Sequence, residues 1–137
     1  MGRILAIDYG TKRVGVAETD DFQIIASPVD TIHSSKIVKW IVNYAKKHEL
    51  DVVVVGEPKT LSNEETDSSK VINEFAVHIG RKLPGVRIER VDERFTSKLA
   101  KQAISISGLS KKKRESKELV DAISATIILQ SYMDQKK

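Results

Sequence analysis

The apolar positions of this chain fall into two periods, and the order in which they alternate predicts its architecture. Residues 3–8, RILAID, are an apolar run closed by an acid and read as a buried strand. A turn at Tyr9, Gly10 and Thr11 follows, and residues 13–18, RVGVAE, alternate as a second strand. After a turn at Thr19–Asp21, residues 22–29, FQIIASPV, read as a third strand ending near Pro28. Connections this short favour an antiparallel meander. The period then lengthens. Ile37, Trp40, Ile41, Tyr44 and Ala45 recur at helical spacing, so a helix capped by Ser34 or Ser35 is expected over about 35–48. The four valines of DVVVVGEP mark a central strand buried on both faces. Lys59–Asp67 reads as a polar loop, and Val71, Ile72, Phe75, Ala76 and Ile79 predict a helix over about 67–82, broken by Pro84 and Gly85. Residues 86–91, VRIERV, complete the strands. A short helix from Thr96 or Ser97 to about Ile104, a polar basic stretch over 105–115 and a final helix over about 116–134 follow. Strands joined through helices should be parallel with right-handed crossovers. The expected fold class is therefore α/β, a mixed sheet with helices on both faces, in a single domain over 1–137.

Charge and composition narrow the function only a little. The chain carries 23 basic and 19 acidic residues, a net charge of +4, which leans toward nucleic acid without deciding for it. The distribution is more telling. Lys111, Lys112, Lys113 and Arg114 form one run ahead of the last helix, and Lys12 and Arg13 sit in the first turn region, each either a solvated loop or a phosphate contact. With no cysteine there is no disulfide, thiolate metal site or thiol nucleophile. No apolar run approaches the length of a membrane span, and the first residues enter a strand rather than a signal peptide, so a cytoplasmic protein is expected. His33, His48 and His78 fall away from the acidic motifs and read as surface or satisfied histidines. Trp40, Tyr44 and Tyr132 read as core, while Tyr9 sits beside an acid and is the one aromatic placed to stack on a base.

Three acids carry the candidate chemistry. Asp8 ends the first apolar strand, where a carboxylate must either emerge or find a partner, although aspartate also closes strand–turn junctions by bonding the backbone. Asp92 and Glu93 directly follow VRIERV; strand alternation sends them to opposite sides, so at most one can share a site with Asp8. Asp121 lies within the final helix on the face of Ala125, Ile128 and Tyr132, a mostly apolar face. Two strand ends and one helix can converge at the C-terminal edge of the sheet. Clustered carboxylates suit hard divalent cations, and two such ions about 4 Å apart can activate water and stabilise a leaving oxygen in phosphodiester hydrolysis.

The segments IDYGTKRVGVA, VDERFTS and ELVDAISATIILQSY, in this order and supported by VVVGEP, resemble the YqgF family, also called RuvX, across nearly the whole chain. The resemblance implies a five-stranded RNase H-like sheet, a cytoplasmic location and a nuclease, either a Holliday-junction resolvase or an enzyme that matures the 5′ end of pre-16S rRNA. Carried over by motif, Asp8, Glu93 and Asp121 match the family's metal-binding acids, for Mg²⁺ or Mn²⁺ and two ions in all. Lys12, Arg13 and Arg94 match basic positions suited to phosphate. Two departures stand out: GEPKTLSNEE places Glu57 where an apolar residue is common and lacks a later glycine, and Ser124 replaces a common alanine. Glu57 is expected to face solvent.

The leading expectation is thus a metal-dependent endonuclease on structured RNA, pre-16S rRNA or a ribosomal particle, or on branched DNA. Lys12, Arg13, Arg94 and the 111–114 run would position the phosphate backbone. A binding factor for ribosome assembly with little catalysis is the second reading, since fold does not establish chemistry. A nucleotide-using phosphotransferase is disfavoured by the chain length and by the lack of a GxxxxGK[ST] loop. Symmetric cutting of a junction would favour a homodimer, whereas a monomer suffices for RNA.

Overall fold

A computed structural model of the chain describes residues 2–10, 12–57, 67–92 and 117–135. Five strands, β1 (Arg3–Tyr9), β2 (Arg13–Thr19), β3 (Ala26–His33), β4 (Leu50–Glu57) and β5 (Arg87–Asp92), form one sheet in the order β3-β2-β1-β4-β5. The first three are antiparallel, and β1, β4 and β5 are parallel. Helices α1 (Ile37–Lys47) and α2 (Asp67–Lys82) interrupt the strand order, and α3 (Lys117–Gln135) ends the described chain. This is the mixed sheet expected from the pattern, with parallel pairing wherever a helix intervenes.

Alternation along the central strands divides two cores. Leu5, Ile7, Val53 and Val55 pack with Ile37 and Ile41 of α1 and Ile72, Phe75 and Ile79 of α2. Ile4, Ala6, Val52, Val54 and Val91 pack against Ala125, Ile128, Leu129, Tyr132 and Met133 of α3 on the other face. The four valines of β4 are accordingly buried on both sides. Val71, placed by spacing on the inner face of α2, is instead 42% exposed. The helix predicted over 96–104 and the basic stretch over 105–115 lie outside the described residues.

The third strand is displaced from its expected 22–29 to 26–33, and the cause is local. Asp20 Oδ1 accepts the amide hydrogens of Ile24 and Ile25 at 2.7 and 2.9 Å, and Gln23 adopts φ 58°. The aspartate competes with strand pairing by folding the backbone onto its own carboxylate. Those backbone hydrogen bonds also hold its pKa below the ordinary carboxylate value. Phe22, Ile24 and Ile25 therefore stand in the turn, 62–72% exposed. Pro28 does not end the strand. It lies within it, because β3 is the sheet edge and the register shifts beside it, between Val16↔Asp30 and Ala17↔Pro28. Edge strands and bulges are where a residue without an N–H is tolerated. Helix α1 begins after Lys36 with no side-chain cap, and neither Ser34 nor Ser35 serves. Ser35 is engaged instead by His33, whose Nδ1 lies 2.8 Å from Ser35 Oγ.

The edge where β1 begins is closed by polar contacts. Arg3 bonds Glu18 at 3.1 Å and Asp21 at 3.0 Å, and Tyr44 OH donates to Glu18. Hydrogen bonds from Arg3 to Tyr44 and Asp21 raise the guanidinium pKa further above its already high value. Burial, then the Glu18 carboxylate, push the Tyr44 hydroxyl up to about 12. The pairing of β1 with β4 slips between Arg3 and Ile4, and the Ile4 amide there donates to the buried Thr19 hydroxyl at 2.9 Å.

Two measurements test this account. Thr19→Val keeps the shape and leaves the Ile4 amide without its acceptor, so the unfolding free energy in urea should drop by about 1–3 kcal/mol; an unchanged midpoint would show that the bond contributes nothing. Tyr44 has a folded pKa above its unfolded value of 10.0, so its contribution is full below pH 10 and lost as pH rises toward 12. The stability difference between the native chain and Tyr44→Phe should shift across that window in the direction of the variant; a constant difference would dismiss the linkage.

Candidate active-site edge

Parallel strands deliver their C-terminal ends to one edge of the sheet, and at this edge β1 carries Asp8. Asp8 is the penultimate residue of β1, directly opposite Gly15 of β2. It continues the parity of Ile4 and Ala6, so it stands on the α3 face, half-buried. On the same edge β4 closes at Glu57, paired with Asp92, the last residue of β5.

Helix α3 brings its first turns to this edge as well. Its far end is fixed at the opposite one, where Tyr132 and Met133 line a cavity of about 450 Å³ with Ile4, Val52 and Arg87. The helix rises about 16 Å from Tyr132 back to Asp121, and β1 covers about 13 Å from Ile4 to Asp8. Ala125 and Ala122 are buried between. The backbone of Asp121 thus lies one turn before Ala125, toward the end of the sheet at which Asp8 emerges. Ser124, the departure from alanine, is buried and fits this close approach.

The first hairpin holds the basic side of the edge. Tyr9 pairs with Val14 and β2 is entered at Arg13, so the chain turns between Gly10 and Lys12. A Cβ on Gly10 would lie 2.5 Å from the Arg13 carbonyl oxygen, so glycine is required for this close approach. Lys12 and Arg13 are exposed at the tip. The Ser34 amide donates to the Lys12 carbonyl at 3.1 Å, and Arg13 pairs with His33 across β2 and β3, so the β3–α1 turn joins the same edge. The sequence reading set His33 in a loop remote from the acids; it is the last residue of β3, and only the register reveals its neighbours.

Tyr9 is not available beside Asp8. The alternation that sends Asp8 to the α3 face sends Tyr9 to the other, where its ring lies 4.6 Å from that of Phe75. Tyr44 and Tyr132 are buried and Trp40 partly so, as core residues. Glu93, Arg94, Lys111, Lys112, Lys113 and Arg114 lie outside the described residues. Among the described residues no group of three or more His, Asp or Glu side chains forms a complete metal site. The donors the edge can offer are hard carboxylate oxygens, the type that Mg²⁺ and Mn²⁺ prefer. The 450 Å³ cavity lies at the other edge and is lined by no acid.

A five-stranded sheet in this order, with two helices on one face and one on the other, is the RNase H-like fold. It superposes on Thermus thermophilus RuvC, solved in complex with a Holliday junction substrate, with a TM-score of 0.59 over 96% of this chain and 95% of that one at 14% identity. A second Thermus thermophilus RuvC structure matches with a TM-score of 0.51. The model of the RuvX family, described as Holliday junction resolvase, matches residues 2–135, and the chain belongs to that family. Proteins named "Putative pre-16S rRNA nuclease" from Flavobacterium johnsoniae and Phocaeicola vulgatus are 47% and 49% identical to it, each over all of this chain and 99% of the relative.

The hairpin geometry sets a testable limit. Gly10→Ala should lower stability by about 1–3 kcal/mol in chemical denaturation, the range for a forced contact in a packed region. An alanine variant as stable as the parent would show that the turn relaxes freely.

Proposed function

We propose that this protein is a metal-dependent endonuclease that hydrolyses phosphodiester bonds during 5′-end maturation of pre-16S rRNA in the cytoplasm. The observation that carries the reading is the emergence of Asp8 on the α3 face, at the edge toward which α3 brings Asp121. The names of its near-identical-length relatives support pre-16S rRNA as the substrate.

Asp8 and Asp121, with Glu93, two positions past Val91 in the sequence, would hold the ions. Three carboxylates brought to one site would raise one another's pKa unless cations neutralised them, so such a donor set would suit a divalent metal. Bound Mg²⁺ or Mn²⁺, two ions in the full site, would supply water activation and charge neutralisation at the scissile phosphate. The role of the chain is placement. Asp8, paired with Gly15 of β2 and one residue past the last β1–β4 pair, Ile7↔Val55, would present its carboxylate from an ordered strand end. Lys12 and Arg13 hold the flanking phosphates from the tight hairpin, and Arg94 with Lys111, Lys112, Lys113 and Arg114 extend that hold. Such contacts set register on a backbone and read no bases.

The family's description favours a second substrate, a four-way DNA junction, which would call for a homodimer; a monomer suffices for RNA. Labelled pre-16S rRNA and a synthetic junction, each incubated with Mg²⁺, Mn²⁺ or chelator, separate the two. Cleavage should require metal and fall by about a hundredfold or more in Asp8→Asn. Cutting of the junction alone would transfer the activity to DNA. Equal cutting by Asp8→Asn would remove the carboxylate mechanism, and binding without cutting would leave an assembly factor.

A further inference from the structure

Helix α1 is built against its own electrostatics. From Thr31 to His48 the chain has no aspartate or glutamate, yet it has Lys36, Lys39, Lys46 and Lys47. Lys36, Lys39, Asn43 and Lys46 follow helical spacing and all are exposed, so the outer face of α1 is a basic stripe. An amphipathic surface helix ordinarily mixes charges on that face. Lys46 and Lys47 need no special reason, because cations in a last turn complement the helix dipole. Lys36 and Lys39 do. They occupy the N-cap and the first turn, where the dipole favours acids and where a capping oxygen is missing. A local choice that opposes stability marks a functional position.

The stripe starts at the edge where Asp8 emerges but on the opposite, α1 face of the sheet, so a backbone following it would pass around that edge. The amide of Ser34, two residues before Lys36, bonds the Lys12 carbonyl, which ties the foot of α1 to the tip of the first hairpin. Between them stands His33, exposed and opposite Arg13. Its Nδ1 accepts the Ser35 amide hydrogen at 3.1 Å, so the neutral ring carries its proton on Nε2 and presents a donor. Glu18, which lines the groove beside Trp40, Asn43 and Lys47, is already held by Arg3 and Tyr44 and subtracts little from the positive surface.

We infer that Lys12, Arg13, His33, Lys36 and Lys39 form one continuous track for a nucleic-acid backbone, leading from the carboxylate edge along the outer face of α1. The inference rests on the proposed nuclease function and adds to it the path of the substrate arm. The ligand chemistry is a row of phosphodiesters; an RNA helix and an arm of a DNA junction both provide it.

The test uses the full-length protein carrying Asp8→Asn, with and without Lys36→Asp and Lys39→Glu. Binding to a labelled RNA hairpin and to a labelled four-way DNA junction is measured by anisotropy over a salt series, alongside melting temperature. The two substitutions supply the acids that the helix N-terminus prefers, so melting temperature should hold or rise. Affinity should fall roughly tenfold or more near 0.1 M salt, with the slope of log affinity against log salt shallower by about 1 for each lysine replaced. The probe that shows the loss identifies the arm that follows the track. Unchanged affinity and slope in the variant would overturn the track while the nuclease reading stands. Weaker binding together with a lower melting temperature would assign the lysines to the helix and overturn it too. If the parent binds neither probe, the nuclease reading fails and the track falls with it.

Discussion

The double pairing of β1 is the constraint on which the rest depends. It bonds β2 on one side and β4 on the other, and helices cover both its faces, so Leu5, Ala6 and Ile7 have no solvent exposure at all. A charge cannot sit within such a strand without a partner. The first position at which a carboxylate can stand is the end, and that is where Asp8 is. Burial of the strand and placement of the acid are one fact. Strands β4 and β5 also end in acidic residues, Glu57 and Asp92, which stand opposite each other in the strand register. Parallel pairing then does what no antiparallel arrangement could: it brings all three strand ends to one side.

How much of this was legible in the sequence varies by element in a physically consistent way. Strands buried on both faces wrote themselves into composition, as the four valines of β4 did. The helices α1 and α2 were visible because one face of each is apolar at a fixed period. Edge strand β3 was legible in its existence and not in its bounds, since its burial is slight and hydrophobicity carries no register there. The apolar residues Phe22, Ile24 and Ile25 belong to a turn set by a single Asp20 carboxylate. Local hydrogen bonding outweighed strand propensity, and no periodicity reports such a bond.

The site divides along the same line. Asp8, Lys12 and Arg13 could be read from one contiguous segment, because strand, turn and strand are consecutive. The approach of Asp121 depends on the direction in which α3 crosses the sheet, which follows from where Tyr132 and Met133 pack rather than from anything near Asp121 itself. The proximity of His33 to Arg13 depends on β2–β3 register, and that register contains a bulge. The face taken by Tyr9 is a matter of parity alone: adjacent to Asp8 in sequence, it is on the other side of the sheet.

The two edges of the sheet use charge differently. At the N-terminal edge, acids are matched to cations within the fold: Glu18 and Asp21 to Arg3, with Tyr44 completing the set and Gln23 bonding Asp51. Such pairs are consumed in holding the chain, and they leave little field for a ligand. At the C-terminal edge the acid of β1 shares the edge with exposed cations of the first hairpin and the foot of α1, drawn from separate elements. An acidic centre alone would repel a polyanion. A flank of lysine and arginine lets the backbone approach, while divalent ions would neutralise the centre locally where the bond breaks. In the proposed nuclease, attraction and chemistry would then be set by different residues, with a basic surface extending beyond the reach of the carboxylates.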